Sequence, residues 1–363
     1  MSNDTSMRST LLRFDLFFAA ADPSMQKRLQ KALDVMRSAI DIFGLEGVCF
    51  SFNGGKDSTV VLHLLRIVVA KRVLEEAQLE HVKAKEEAQD GPKTTVTSPR
   101  NSFVSADLLQ EDELEARVQA QLKRVPVMYF DSYDQFPEVR DFTEECTKKY
   151  ALSCHVYKCS FVEGVKDILE KLKIKGVYMG VRGGDPYTED MEHFSPSSPG
   201  WPPFLRVNPI LQWTYADVWS FLRDCQLEYC SLYDHGYTSL GNIFDTVQNP
   251  ELWRKGEDGK EGYYLPAYDL KDGSSERCGR QKKAHTTSKS DGAEIVNGIV
   301  NVSWQLEIQK KSGNDYDTGW SKPATSIGLE NPSSRNLDGG QMVIANEIGI
   351  GHYGVVGWQN ETS

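Results

Sequence analysis

The feature that most constrains this chain is the stretch around residues 48–59. Val48-Cys49-Phe50-Ser51-Phe52 is a short, mostly apolar run that passes directly into Asn53-Gly54-Gly55. From Asp57 onward apolar residues return at helical spacing, at Val60, Val61, Leu64, Leu65 and Val68. A strand that ends in two adjacent glycines and turns into a helix is the opening of a nucleotide-binding α/β unit. Gly54 and Gly55 remove the side chains that would keep a backbone away from a phosphate. Their N–H groups, with those at the start of the next helix, form an anion-binding concavity that the helix dipole reinforces. Lys56 adds a point charge, and Ser51, Ser58 and Thr59 offer hydroxyls. Asp57 suits either the first turn of the helix or an indirect metal contact. A tight strand–helix turn with an N-capping aspartate is the plainer alternative. The segment is not a Walker loop, because its lysine is followed by aspartate and its glycines are adjacent.

The rest of the chain extends the pattern. Residues 25–43 read as an amphipathic helix with Leu29, Leu33, Met36 and Ile40 on one face. Strands are expected at 125–130, 153–159 and 177–181, with helices at 137–150, 161–172 and 215–225. Strand alternating with helix implies an α/β fold, a Rossmann-like doubly wound parallel sheet whose ligands sit at the carboxyl ends of the strands. Asn53, Asp131 and Asp185 all fall there. Residues 1–24 read as an N-terminal extension and 25–280 as the catalytic domain. Residues 71–124 read as a charged insertion of two exposed helices joined by a loose loop, and 195–203 as a loop rich in proline and serine. Beyond 281, Ser, Asn, Gly, Lys and Thr dominate and periodicity is lost, so 281–363 is expected to be a disordered, low-complexity tail. Gly349, Gly351 and Gly354 spell G-x-G-x-x-G too close to the last residue for a βαβ unit to follow.

Charge and cysteine usage narrow the function classes. A formal charge of −11 argues against a general nucleic-acid binder, which needs a basic face. Small anionic substrates need only a local cationic pocket. The seven cysteines form no C-x-x-C pair and are odd in number, which disfavours a zinc ribbon or disulfide framework and favours a reducing compartment. No apolar run reaches the length of a membrane span, and the first residues make a poor targeting signal. The expectation is a cytoplasmic protein without membrane or nucleic-acid partners, monomeric or weakly homo-oligomeric.

Residues 51–58, S-x-x-G-G-x-D-S, resemble the PP-loop of enzymes that split ATP into AMP and pyrophosphate, the adenine nucleotide alpha hydrolase-like fold. Four further segments narrow the resemblance: 130–142 (FDSYDQFPEVRDF), 180–190 (GVRGGDPYTED), 201–222 (WPPFLRVNPILQWTYADVWSFL) and 229–242 (YCSLYDHGYTSLGN). Together they are similar to eukaryotic FAD synthetases, whose fold is shared with phosphoadenylyl-sulfate reductases. The resemblance covers roughly residues 25–280 and implies adenylyl transfer from ATP to FMN with Mg²⁺. It marks Asn53 and Asp57 of the loop as functional, with Asp185 of the G-x-R-x-x-D-P motif and two arginines of an R-x-G-R-like element, Arg277 and Arg280. Gly183-Gly184 depart from the family, which usually carries a bulkier basic or polar pair. Arg182 belongs with the nucleotide-binding set. Trp201 is a candidate platform for the isoalloxazine ring, with loop packing as its alternative. Asp131 and Phe136 are placed near the adenine, Trp213 and Trp219 in the core, and His63 among packing residues.

Competing functions remain at this point. A thiol-dependent reductase of phosphoadenylyl sulfate carries E-C-G-[LI]-H, which residues 276–280 echo only in Cys278-Gly279. A tRNA-modifying ATP pyrophosphatase would want a basic face. A non-catalytic flavin- or nucleotide-binding module would bind ligand without releasing pyrophosphate.

Overall fold

Five short segments fold into neighbouring parallel strands, and those at Val48–Ser51, Pro126–Phe130, Ser153–Tyr157 and Leu205–Val207 are each followed by a helix. The computed structural model describes residues 6–88, 108–256 and 261–280. Its elements begin with helices α1 (Met7–Ala20) and α2 (Pro23–Phe43), then β1 (Val48–Ser51), α3 (Lys56–Ala88) and α4 (Glu111–Leu122). These are followed by β2 (Pro126–Phe130), α5 (Pro137–Lys149), β3 (Ser153–Tyr157), α6 (Phe161–Leu172) and β4 (Gly176–Tyr178). Last come β5 (Phe194–Pro196), β6 (Leu205–Val207), α7 (Tyr215–Asp224), and the paired strands β7 (Trp253–Arg254) and β8 (Tyr263–Tyr264). The six-stranded sheet has the order β3-β2-β1-β4-β6-β5, parallel except for β5, which pairs antiparallel with β6 at one edge.

The strand order reverses direction between β1 and β4, which are hydrogen-bonded neighbours with Val48 opposite Gly176 and Phe50 opposite Tyr178. In doubly wound sheets the crevice for a ligand opens at the carboxyl ends of the strands flanking such a point. Alternation along β1 divides the core. Val48 and Phe50 join the cluster containing α2, α3 and α7 residues, whereas Cys49 joins Met128, Val165, Ile168, Val177 and Phe204 on the other face. The first half of α3 is apolar around its whole circumference: Val60, Val61, Leu62, Leu64, Leu65, Ile67, Val68 and Val69 are all buried. A helix of that composition belongs inside the protein. Helix starts are set locally. Asp22 accepts from the Ser24 and Met25 N–H groups ahead of α2, and Ser160–Glu163 and Thr214–Asp217 form capping boxes on α6 and α7.

The structure corrects several expectations. Within the expected N-terminal extension, α1 packs into the core and buries Met7, Thr10, Leu11 and Phe14. Phe14 packs edge-on to Phe221 of α7 at 6.4 Å. The expected insertion does not begin at 71. The phosphate-loop helix runs through that position as one 33-residue helix and keeps Val73, Leu74 and Ala77 buried. Helix α4 then buries Leu114, Val118 and Leu122. The charged composition of this segment hid an apolar stripe one residue wide per turn. The 195–203 loop begins inside β5, and β6 carries Leu205–Val207 in the sheet, a strand too short to show periodicity. The 281–363 tail, the Gly349–Gly354 decoy and residues 89–107 lie outside the described residues.

Because Phe14 is 1% exposed, Phe14→Ala is expected to cost about 3–5 kcal/mol of stability in denaturant unfolding. A dispensable extension would give a change near zero.

Candidate nucleotide site

The loop after β1 is shaped by two glycines with different tasks. Gly54 has φ of 69°, and a Cβ there would come within 2.9 Å of Thr143 Oγ1 and Val139 Cγ1 on α5. Only glycine tolerates both demands. Asn53 folds its side chain over the turn. Its Oδ1 accepts the Gly55 N–H at 3.0 Å and lies 2.6 Å from the Ser58 hydroxyl, which is also 2.9 Å from the Gly55 carbonyl. Lys56 N–H donates to the Tyr233 hydroxyl at 2.8 Å, and Thr59 N–H to the Gly55 carbonyl. Among the described residues, the N–H groups of Gly54, Asp57 and Ser58 make no hydrogen bond. They stand at the positive end of a 33-residue helix. That is an anion cradle.

A second glycine makes the cradle accessible to the strand next door. Gly180, just beyond β4, lies so close to the first turn of α3 that a Cβ would sit 2.7 Å from Ser58 N. The loop after β4 therefore closes directly over the phosphate loop, and Asp185 follows it. Asp185 Oδ2 accepts the Arg182 N–H at 2.9 Å, and burial pushes its carboxyl above the usual range.

The cations expected to face a phosphate do not. Lys56 is 2% exposed, and its ammonium lies 5.3 Å from the Tyr215 ring centroid and 5.8 Å from that of Tyr233. It pairs with Asp57 at 3.0 Å and with Glu276. Arg182, 5% exposed, pairs with Glu276 and meets Asp57 Oδ1 at 2.7 Å, a charge contact without aligned hydrogen-bond geometry. Lys56, Asp57, Arg182 and Glu276 thus form a closed ring of alternating charge beneath the cradle. Burial opposes ionisation of Asp57, but Lys56 and Arg182 outweigh it and hold its carboxyl below the usual range. Burial likewise opposes the Arg182 charge and is outweighed by Asp57 and Glu276. Lys56, expected to add a point charge at the loop, and Arg182, expected in the nucleotide-binding set, are both ion-paired in this structure. In a chain this buried, charges that are matched by carboxylates stay inside. Asp57 stands in the first turn of α3, one of the two places expected for it, with each carboxylate oxygen against a cation.

The remaining residues lie in separate segments. Ser51 closes β1, half-buried. Asp131, after β2, pairs with Arg140 at 2.8 Å and lies 3.8 Å from Lys158. Trp201 packs at 4.7 Å against Phe161, stacks on Phe204 at 6.3 Å, and carries the Arg206 guanidinium 4.8 Å over its ring. Its contacts are those of the loop-packing alternative. Arg277 is exposed and makes no ion pair among the described residues. Arg280 donates to the Leu240 carbonyl at 3.0 Å, pairs with Asp245 at 3.2 Å, and lies on Gly241, where a Cβ would be 2.2 Å from its guanidinium. Trp213 and Trp219 are core residues, and His63 is buried beside Arg66, as expected. Gly180, Tyr233 and Glu276 were missed. A glycine closing an apolar run was the one available signal, whereas Lys56 and Glu276 are 220 residues apart.

Two measurable grooves lie elsewhere, of about 340 Å³ between α3 and α4 and 220 Å³ among α1, α2 and α7. Neither contains a residue of the cradle. Among the described residues no group of three His, Cys, Asp or Glu side chains is arranged to hold a metal ion.

Comparison with known proteins places this arrangement among relatives. The phosphoadenosine phosphosulfate reductase domain family matches residues 47–163 and 158–248. A probable FAD synthase of Schizosaccharomyces pombe is 35% identical over 257 residues, covering 70% of this chain and 80% of that protein. One from Caenorhabditis elegans is 34% identical over 70% of this chain, which spans 40% of that longer protein. The fold is similar to that of the FMN adenylyltransferase of Candida glabrata solved with FMN and an ATP analogue, with TM-score 0.52 at 22% identity, covering 76% of this chain and 98% of that one.

The raised Asp185 carboxyl carries a sign that thermal unfolding can read. Its ionisation is disfavoured in the folded state, so its contribution is favourable at low pH and lost as pH rises past the ordinary carboxylate range near 4. Asp185→Asn, which keeps an acceptor for the Arg182 N–H, is expected to unfold at an equal or higher temperature than wild type at neutral pH, the gap growing from acid to neutral. A variant less stable at pH 7 would contradict this assignment.

Proposed function

This chain belongs to the FAD synthase family and carries the phosphoadenosine phosphosulfate reductase domain, and we propose that it transfers the adenylyl group of ATP to FMN. The products are FAD and pyrophosphate. The observation that carries this reading is the cradle: unpartnered Gly54, Asp57 and Ser58 N–H groups at the start of α3, at the point where strand order reverses. A phosphate oxygen of FMN attacks the α-phosphorus, the bond from that phosphorus to the bridging oxygen breaks, and pyrophosphate leaves. No protein nucleophile is required, so the chain's work is alignment and charge stabilisation.

The cradle N–H groups hold the leaving phosphates by backbone dipoles, which cannot move away as charge develops. Asn53 and Ser58 fix the turn that presents them. Cationic help comes from Arg277, which is exposed, and from Arg280, which pairs with Asp245 at 3.2 Å. Asp185, in the loop that closes over the cradle, borders the transferred group. A Mg²⁺ ion carried on the triphosphate would neutralise charge on the departing pyrophosphate. Trp201 shares its ring with Arg206 and Phe204, so it borders a flavin at most by an edge.

Seven free cysteines support a reducing compartment such as the cytoplasm, and the acidic balance supports small-molecule rather than nucleic-acid partners. Among the described residues no helix is long and apolar enough to cross a membrane. Monomer or weak homo-oligomer is the expected state. Sulfur chemistry is not favoured: Cys278 is followed by Gly279-Arg280 and no histidine.

Purified protein with FMN, ATP and Mg²⁺ is expected to yield FAD and pyrophosphate in equal amounts, with riboflavin inert as acceptor. Arg280→Ala is expected to lower kcat on the order of 10²-fold. Absence of FAD, with sulfite released from phosphoadenylyl sulfate and a thiol instead, would replace this reading with the reductase.

A further inference from the structure

Glu276 has no counterpart in the chemistry described so far, yet it sits at the structural junction of the site. Its carboxylate contacts two cations from different elements: Lys56 at the start of α3 and Arg182 in the loop after β4. Both of these are almost fully buried, at 2% and 5% exposure. Glu276 itself belongs to the short 3-10 turn Gly273–Arg277, whose next residues are Arg277 and, four positions on, Arg280. The backbone of that segment is tied to a different neighbour. The Glu276 carbonyl accepts from Thr238 Oγ1 at 2.6 Å, the Ser275 carbonyl from Asn249 Nδ2 at 2.8 Å, and the Gly279 carbonyl from Val247 N–H at 2.9 Å. Main-chain bonds therefore hold the arginine segment to residues 238–249, while the Glu276 side chain ties it to the phosphate loop and to the loop bearing Asp185.

We infer that Glu276 is a positioning residue that sets the distance between the Arg277–Arg280 element and the phosphate cradle, acting through Lys56 and Arg182. The charge count shows why a carboxylate is needed. Without Glu276 the ring would hold two cations and one carboxylate, Asp57, in a nearly dry site. With it, the ring is neutral and leaves no net field to compete with the cradle for a polyphosphate. It also explains why a lysine and an arginine sited beside a phosphate loop both turn inward. Misplacing a charge-stabilising group by about 1 Å lowers turnover on the order of 10²-fold. The inference rests on the adenylyltransferase reading, because it gives Arg277 and Arg280 their task.

The test compares wild type, Glu276→Gln, and the charge-balanced double variant Lys56→Met/Glu276→Gln, with Lys56→Met alone as control. FAD formation by the wild type is measured first, and its absence would count against the activity rather than against Glu276. Glu276→Gln is expected to lower kcat by ten- to a hundredfold with KM for FMN changed less than threefold, and to speed trypsin cleavage after Arg277 and Arg280. The double variant restores ring neutrality, so its melting temperature is expected to return towards wild type while kcat stays low and tryptic cleavage stays fast. Should Glu276→Gln fail to fold, the double variant alone decides the matter. Wild-type kcat in either variant, or activity that recovers in step with stability in the double variant, would show that Glu276 only balances charge and would overturn the inference.

Discussion

Beneath the phosphate loop, Lys56, Asp57, Arg182 and Glu276 neutralise one another in a nearly dry ring, and the geometry above it follows from that closure. Four charges taken from water are costly unless each meets its opposite, and a ring of alternating sign meets that condition at every corner. Because the four residues come from the start of α3, the loop after β4 and the Gly273–Arg277 turn, the same condition fixes three chain segments relative to one another. The aromatic rings of Tyr215 and Tyr233 complete the enclosure around the lysine. Burial holds both tyrosine hydroxyls firmly in the neutral form, so that Tyr233 remains a hydrogen-bonding group for the Lys56 backbone.

The ring separates two kinds of electrostatics that the amino-acid composition does not distinguish. Side-chain cations near the loop are spent on internal pairing, whereas the groups left facing outward are backbone N–H dipoles at a helix terminus. Fixed dipoles suit a reaction in which negative charge shifts towards a leaving pyrophosphate, since they need no rearrangement as it does so. Arg277 and Arg280 come from the last described segment, Arg277 exposed and Arg280 paired with Asp245. Gly54 and Gly180 allow the loop its close packing, one by its left-handed conformation and its contact with α5, the other by its contact with the first turn of α3.

The parallel sheet was legible in residues 48–181, since apolar runs alternating with amphipathic helices permit few other topologies, whereas the switch between β1 and β4 came from the strand order of the structure. The phosphate loop was legible too, because Gly54-Gly55 between a strand and a helix is a local pattern. Helix α1 was not. Its buried face comprises Met7, Leu11 and Phe14, but Leu12 and Leu16 on the outer face are exposed, and no polar face marks the periodicity. The continuation of α3 past Lys71 escaped notice because Val73, Leu74 and Ala77 lie among charged neighbours. Strand β6, three residues long, has no period to read.

From residue order alone come the strand–glycine–helix unit, the chemistry of an anion cradle, and the family to which the motifs point. The first two are encoded within a dozen neighbouring positions, the family in five short segments between 51 and 242. Which cations are paired inside the protein was decided only by the tertiary structure, because Lys56 meets Glu276 across 220 residues and Arg182 meets the same carboxylate across 94. A sequence states that a lysine is charged. Whether that charge is free depends on what folding brings beside it.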